Sequence, residues 1–433
     1  MFSSPEGKSY AITFALVSSL FLLWGFCNGM IDVMDKHFQQ ELHLSLAQSA
    51  WVQFAHYLGY FLMALPAGWL ATKIGYKGGI ITGLLMVAAG GFWFIPATHI
   101  SQFWAFLFGV CVIAAGLTFL ETIANPYTTV LGPKQFAATR INLAQSCNGI
   151  GWIFGPIAGK LFFYGEDASG HSTGATTLWI PYAGVAVVVI IIAVIFYFAP
   201  VPDVKSQDEY HVDDAGAGNS HSIWSHPHFL FAVVAQFVYV AAQSGIFSFF
   251  INYMTSQVPA IPASWADFWL TKTLVHKMAD GSLQISDGGA SSLASVGFFC
   301  FLLGRFSGAI LLKKYSAHKI LGLYAVLNAV VCGVIFLKLG WLSVACVFLS
   351  YFFMSIMFPT IFALGIHGLG SRAKKASSFI VMAIIGGAIV PKLMGAVGDQ
   401  HGMSKAFIVP LVCFVIIAFY GFGWKKLSRS GVT

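Results

Sequence analysis

Long apolar segments recur along this chain from Ala11 almost to its C-terminus, and they leave few folds open to it. A helix needs roughly 20 apolar residues to cross the hydrocarbon of a bilayer. Twelve such segments are read here, centred near Leu22, Phe61, Leu85, Ala115, Gly151, Val189, Ala241, Phe301, Val330, Phe352, Ile385 and Val415. In lipid the backbone must satisfy its own amides, so each is predicted to be a helix. The first, from about Ala11 to Met34, is too long for a cleavable signal segment and reads as the first span. Charge content agrees. Only 9% of the 433 residues are Asp, Glu, Lys or Arg, against about 25% in soluble domains. The predicted fold class is an all-α membrane protein of twelve transmembrane helices, its surface covered by the lipid bilayer.

The net charge of +7 would suit nucleic acid, but the basic residues sit in short loops between apolar segments, so no nucleic-acid partner is expected. The seven cysteines fall inside apolar segments without a CxxC pair and read as free, packed thiols, not metal ligands.

Between the sixth and seventh segments lies a polar stretch, Val201 to Ser225, carrying Asp203, Asp208, Glu209, Asp213 and Asp214. It divides the chain into an N-terminal six-helix half (1–200), a cytoplasmic linker (201–225) and a C-terminal six-helix half (226–433). The halves repeat. Gly68-Trp-Leu-Ala-Thr-Lys-Ile-Gly-Tyr-Lys77 after the second span is matched by Gly308 to Lys319 after the eighth. Asn125-Pro126 is matched by Phe358-Pro359, and Pro156 with Gly159 by Pro391 with Gly395. Parallel six-span repeats build many secondary transporters, with the binding site near mid-membrane. Glycine ladders, Gly151-Gly155-Gly159 and Gly304-Gly308, invite close helix approach.

Lys and Arg set the orientation. With a cytoplasmic N-terminus, the larger basic group (Lys8, Lys73, Lys77, Lys134, Arg140, Lys205, Lys313, Lys314, Lys319, Arg372, Lys374, Lys375, Lys425, Lys426, Arg429) faces inward. The smaller group (Lys36, Lys272, Lys277, Lys338, Lys405) faces outward. Both termini are therefore expected inside, in the inner membrane of a bacterium.

An ionisable residue at the bilayer centre costs about 2.5–3.5 kcal/mol on insertion scales, so each asks for a reason. Of the sixteen acidic residues, Asp32 and Glu121 lie deep in apolar surroundings, whereas Asp35 reads as a span end. A carboxyl group withdrawn from water can hold a proton and lose it when water returns, as proton coupling requires. Amides accompany the acids at helical spacing: Asn28 with Asp32, Glu121 with Asn125, and Asn142, Gln145 and Asn148 followed by Trp152. The second span adds Gln53, His56, Tyr57 and Tyr60, and the seventh Gln236, Tyr239 and Gln243. Amides and carboxylates exchange hydrogen bonds with hydroxyls, and aromatic faces stack on the C–H face of a pyranose. A sugar needs this mixture. Two basic residues stand apart: Lys392 meets an anionic group or snorkels to the interface, and Arg305 reads as a packing charge at the cytoplasmic end of its span.

Phe21-Leu-Leu-Trp-Gly25 with Asp32, Leu120-Glu-Thr-Ile-Ala-Asn-Pro126 with Thr129 to Gly132, Asn142-Leu-Ala-Gln145 with Asn148, and Ser377 to Gly387 resemble the fucose–proton symporter family of the major facilitator superfamily. The resemblance implies a permease working by alternating access, with Asp32 and Glu121 coupling protons to sugar and no bound cofactor. It carries the family's amides to Asn28, Gln145 and Asn148. The Gly68–Lys77 loop resembles the general superfamily motif with Thr72 in place of its usual Asp. Gly29 and Ile31 stand beside Asp32 where the family pattern is richer in amides, and His56 replaces an aromatic, so fucose, glucose, galactose and N-acetylglucosamine stay open. Together the reading predicts a sugar site of Asn28, Gln53, His56, Tyr57, Gln145, Asn148, Trp152, Gln243, Tyr351 and Lys392, in a protein acting as a monomer. Two rivals are weaker. Asp32-Val-Met-Asp35 has the DxxD spacing of diphosphate-binding enzymes but lacks a second acidic cluster, and a non-transporting sugar sensor would need the same scaffold.

Overall fold

The computed structural model describes residues 9–132, 137–164, 177–199, 201, 223–265, 274–278, 282–369 and 373–429. Most of the expected linker falls on 202–222, outside the described residues. Helices dominate, as chain in lipid requires. They run α1 Ala11–Glu41, α2 Leu46–Ser49, α3 Trp51–Ile100, α4 Phe103–Val130, α5 Ala137–Phe162, α6 Trp179–Phe198, α7 Pro227–Ser248 and α8 Phe250–Ser256. After the loop that follows α8 come α9 Asp287–Lys314, α10 Ala317–Phe336, α11 Trp341–Met354, α12 Met357–Ile366, α13 Ala373–Met382, α14 Gly386–His401, α15 Met403–Ala406 and α16 Ile408–Arg429.

Ten helical segments among the described residues are long and apolar enough to cross a membrane. The second and fifth expected spans are helical too, as the first part of α3 and as α5. They fall outside those ten because the polar residues of the candidate site dilute their apolarity. The second and third spans meet within α3, where Gly75 takes φ 73° and breaks the helix. Only glycine adopts that conformation without strain. The tenth span breaks between α11 and α12, just before Pro359, whose missing N–H cannot continue the ladder. The eleventh is interrupted by a short 3₁₀ turn, Ala383–Ile385. One departure from an all-helical chain is an antiparallel hairpin in the loop between α8 and α9, β1 Val275–Lys277 with β2 Leu283–Ile285.

Packing divides the chain into two compact units. The first holds residues 1–44, 51–207 and 287–295; the second holds 45–50, 208–286 and 296–433. In the first, α1 crosses α5 at glycine on both sides. A Cβ on Gly25 would lie 2.0 Å from the Asn148 carbonyl oxygen, and one on Gly151 would lie 2.2 Å from that of Leu22. Gly29 and Gly155 meet one turn further on. Both predicted glycine ladders thus pack inside a unit, Gly304 against the Phe352 carbonyl in the second. Asp35, expected at a span end, is fully buried because α1 continues to Glu41. Arg140, expected in a solvated loop, is also buried, and donates to the Thr128 and Gly132 carbonyls at the end of α4. Those carbonyls lack helical partners, so the guanidinium serves as a cap.

Candidate functional site

In the first unit, α1 presents Trp24, Asn28 and Asp32 four residues apart, along one face. The first part of α3 presents Gln53, His56, Tyr57 and Tyr60 at spacings of three and four. The two stripes meet antiparallel. Gln53 Nε2 donates to Asp32 Oδ1 at 3.0 Å, and at the other end Trp24 Nε1 donates to the Tyr60 hydroxyl at 2.6 Å. Asn28 and, from α4, Glu121 act on that same hydroxyl electrostatically. The His56 ring packs 5.0 Å from both Tyr57 and Tyr60. Predicted residues His56 and Tyr57 thus lie beside Tyr60, and Asp32 with Gln53 pairs further along the same helix contact.

The fifth-span residues approach α1 at Gly25 and Gly29, next to this stripe. The Asn148 carbonyl lies against Gly25, and the Trp152 backbone lies against Gly29. Asn148 is buried, while Gln145 and Trp152 are half-buried. Their stripe adjoins the glycine ladder, since Gly151 and Gly155 touch the same stretch of α1. Asn125 and Asn142 have side chains outside the described set.

Four atoms of these predicted residues, Asn28 Oδ1, Asp32 Oδ2, His56 Nδ1 and Asn148 Nδ2, are buried without a hydrogen-bond partner. Native interiors rarely tolerate this, and each such atom signals a missing partner. Together they present acceptors and a donor beside aromatic rings and two carboxyl groups, the chemistry a polyhydroxylated ligand matches.

The second unit differs. Tyr351 is fully buried, stacked on Phe247 at 4.5 Å and edge-on to Phe250 and Phe298. Gln243 is half-buried on α7. Lys392 is exposed on α14 beside exposed Ile389 and Leu393, on the side an interface-seeking lysine would occupy. Arg305 lies over the Phe301 ring at 5.1 Å. Among the described residues no cluster of His, Cys, Asp or Glu could hold a metal, and every cysteine described is free.

Sequence reasoning passed over Trp24 as a site residue and Gly25 and Gly29 as a contact surface. The spacing of Trp24 from Asn28, and the Gly-x-x-x-Gly pair itself, were the available signals.

The profile of the Major Facilitator Superfamily matches residues 11–265. The chain belongs to that superfamily of transporters and, within it, to the fucose–proton symporter family. It is a transporter by class and not an enzyme. It is 36% identical to the L-fucose-proton symporter of Escherichia coli (strain K12), over 96% of this chain and 93% of that protein. It is 33% identical to the glucose/galactose transporter of Brucella abortus biovar 1 (strain 9-941), over 96% and 94% respectively. The crystal structure of the E. coli fucose:proton symporter superposes with a TM-score of 0.66 at 34% identity, covering 96% of this chain and 99% of that one. A bacterial homologue of the human lysosomal transporter Spinster superposes with a TM-score of 0.70 at 13% identity, which shows the shared fold alone.

Proposed function

We infer that this protein is a proton-coupled monosaccharide symporter working by alternating access, importing L-fucose or a related hexose or N-acetylhexosamine. The observation that carries the reading is the set of unpartnered buried polar atoms on Asn28, Asp32, His56 and Asn148, within one unit and close to Glu121. A sugar offers hydroxyls that both donate and accept, so it can satisfy all four atoms at once. Asp32 and Glu121 are the proton carriers. Asp32 is oriented by Gln53, and Glu121, with no basic residue within a turn of it, acts electrostatically on Tyr60. The names of its relatives support a sugar and a proton as the pair carried. The basic-residue bias supports the inner membrane of a bacterium, with both termini cytoplasmic.

Counterflow of labelled L-fucose, D-glucose, D-galactose and N-acetylglucosamine in proteoliposomes tests this, together with sugar-induced alkalinisation of the medium. Exchange of at least one of these sugars accompanied by proton uptake is expected. Binding without counterflow would instead make the protein a sensor.

A further inference from the structure

Two hydrogen bonds, two turns apart, tie α1 to the first part of α3: Gln53 Nε2 donates to Asp32 Oδ1 at 3.0 Å, and Trp24 Nε1 to the Tyr60 hydroxyl at 2.6 Å. With the contact pinned at both ends, the Gln53 amide is held against Asp32 and, at 1% exposure, is closed off from solvent. Read from the sequence as a sugar contact, Gln53 has its NH₂ group committed to a carboxyl oxygen. That makes the two oxygens of Asp32 unlike. Oδ1 accepts from the amide, whereas Oδ2 is buried without a partner. One turn further along the two helices, Asn28 Oδ1 and His56 Nδ1 are also buried and unpartnered. An amide NH₂ can only donate, and an oxygen without a proton can only accept, so the Gln53 bond needs no rearrangement when the acid gains or loses a proton at Oδ2.

We propose that Gln53 is a positioning residue which keeps Asp32 Oδ1 as a permanent acceptor, so that Oδ2 alone takes up and releases the transported proton. The proposal rests on Asp32 as a proton carrier and adds which of its atoms carries the proton and what keeps the other from it. On loading, an O–H bond forms at Oδ2, and Oδ1 becomes the C=O oxygen that still accepts from Gln53. On release that O–H bond breaks, its electron pair stays on Oδ2 and the proton passes to water. While the acid is ionised, the amide supplies a charge-assisted hydrogen bond where lipid withholds water. Oδ2 is also the oxygen left to meet a sugar hydroxyl, as a donor when loaded and an acceptor when empty, so proton and sugar are sensed at one atom. Other titratable groups stand on the helices packed against α1: His56, Tyr57 and Tyr60 on the first part of α3, Cys111, Glu121 and Tyr127 on α4, and Arg140, Cys147 and Lys160 on α5. None of them forms an ion pair or hydrogen bond with Asp32, nor do Cys27, Asp35, Lys36 or His37 on α1 itself.

Infrared difference spectroscopy of the protein in lipid, run as a pH titration, reads the carboxyl group directly. The protonated-carboxyl C=O band that is lost in Asp32→Asn belongs to Asp32. Because its C=O oxygen accepts from Gln53, that band should lie below the frequency of a carboxyl with a free C=O, and in Gln53→Met it should rise to it. Transport is measured in proteoliposomes with whichever of L-fucose or D-galactose the wild type exchanges. Gln53→Met should carry counterflow to higher pH, its midpoint alkaline by about one unit, because the ionised acid has lost its donor. Uphill accumulation should fall about tenfold, since release of the proton is impaired. A wild-type band position in Gln53→Met overturns the proposal, because Oδ1 would then be the oxygen that takes the proton. A wild-type midpoint also overturns it and leaves Gln53 a sugar contact. If Gln53→Met does not yield a monodisperse protein, a wild-type band already at the free-carbonyl frequency overturns it. Uphill accumulation that persists in Asp32→Asn, or the loss of no carboxyl band there, overturns Asp32 as a carrier and this assignment with it.

Discussion

A carboxylic acid inside a lipid-covered helix bundle persists only if something there uses it or neutralises it. Glu121 has no basic residue within a turn and acts electrostatically on Tyr60. Glu121→Gln, which imitates the protonated acid, is expected to abolish proton-driven accumulation while sugar exchange continues; comparing uptake with and without an imposed pH gradient checks it. His56 supplies a different contrast. His56→Phe keeps a ring between Tyr57 and Tyr60 but deletes the buried, unpartnered Nδ1. Sugar affinity should weaken about fivefold to thirtyfold, the value of one buried hydrogen bond, with proton coupling unchanged. Calorimetric titration and alkalinisation traces read the two effects separately. Asp32 and Glu121 were legible in the sequence because a charge in an apolar run is too costly to keep without a use. Trp24 was not, because an aromatic residue in such a run looks the same whether it packs in a core or points at a site.

Helix contacts decide the next level. At Gly25 a side chain would collide with the Asn148 carbonyl, whereas nothing lies within 4 Å of a Cβ placed on Gly184. Gly25→Val should therefore separate α1 from α5, costing about 1–3 kcal/mol or more and lowering the yield of monodisperse protein. Gly184→Ala should be silent in the same melting assay. The α2 turn offers a second test. It carries its own capping box from Ser45 and Gln48, and Asp399 of α14 accepts from the Leu46 and Ala47 amides at 2.8 and 3.0 Å. Asp399→Ala leaves two amides uncapped and should cost about 1 kcal/mol, read as faster hydrogen exchange at residues 45–50. The glycine spacing on α5 announced that something packs there. Its partner, a second glycine pair on α1, could be named only once the helices were oriented. The β1–β2 hairpin also had a local signal, since Asp280-Gly281, a frequent hairpin-turn pair, stands in the sequence between its strands.

Across the whole molecule the two sequence halves are chemically unequal. Aligning Asn125-Pro126 with Phe358-Pro359 sets Met354 opposite Glu121, and Met354 is a fully buried apolar side chain whose carbonyl accepts from Tyr239. Proton handling is accordingly expected to belong to the first half. Arg305→Gln and Lys392→Met should each keep sugar-induced alkalinisation in weakly buffered vesicles, and sugar uptake without a pH signal in either would bring the second half into the proton path. What the sequence by itself determined is the class of every long segment, the two acids set deep in apolar runs, Asp32 and Glu121, and the family. A bilayer enforces helix on any sufficiently apolar stretch and penalises any charge left in it, and both are local properties of the chain. Only the tertiary structure decided that residues 45–50 pack with the second unit and 287–295 with the first, that Asp35 and Arg140 are buried, and that Asp32 pairs with Gln53 and Trp24 with Tyr60. Those outcomes depend on how each helix is rotated about its axis and slid along its neighbours. That rotation and register come from the packing of glycines and side chains between helices distant in sequence, which apolarity along one segment does not encode.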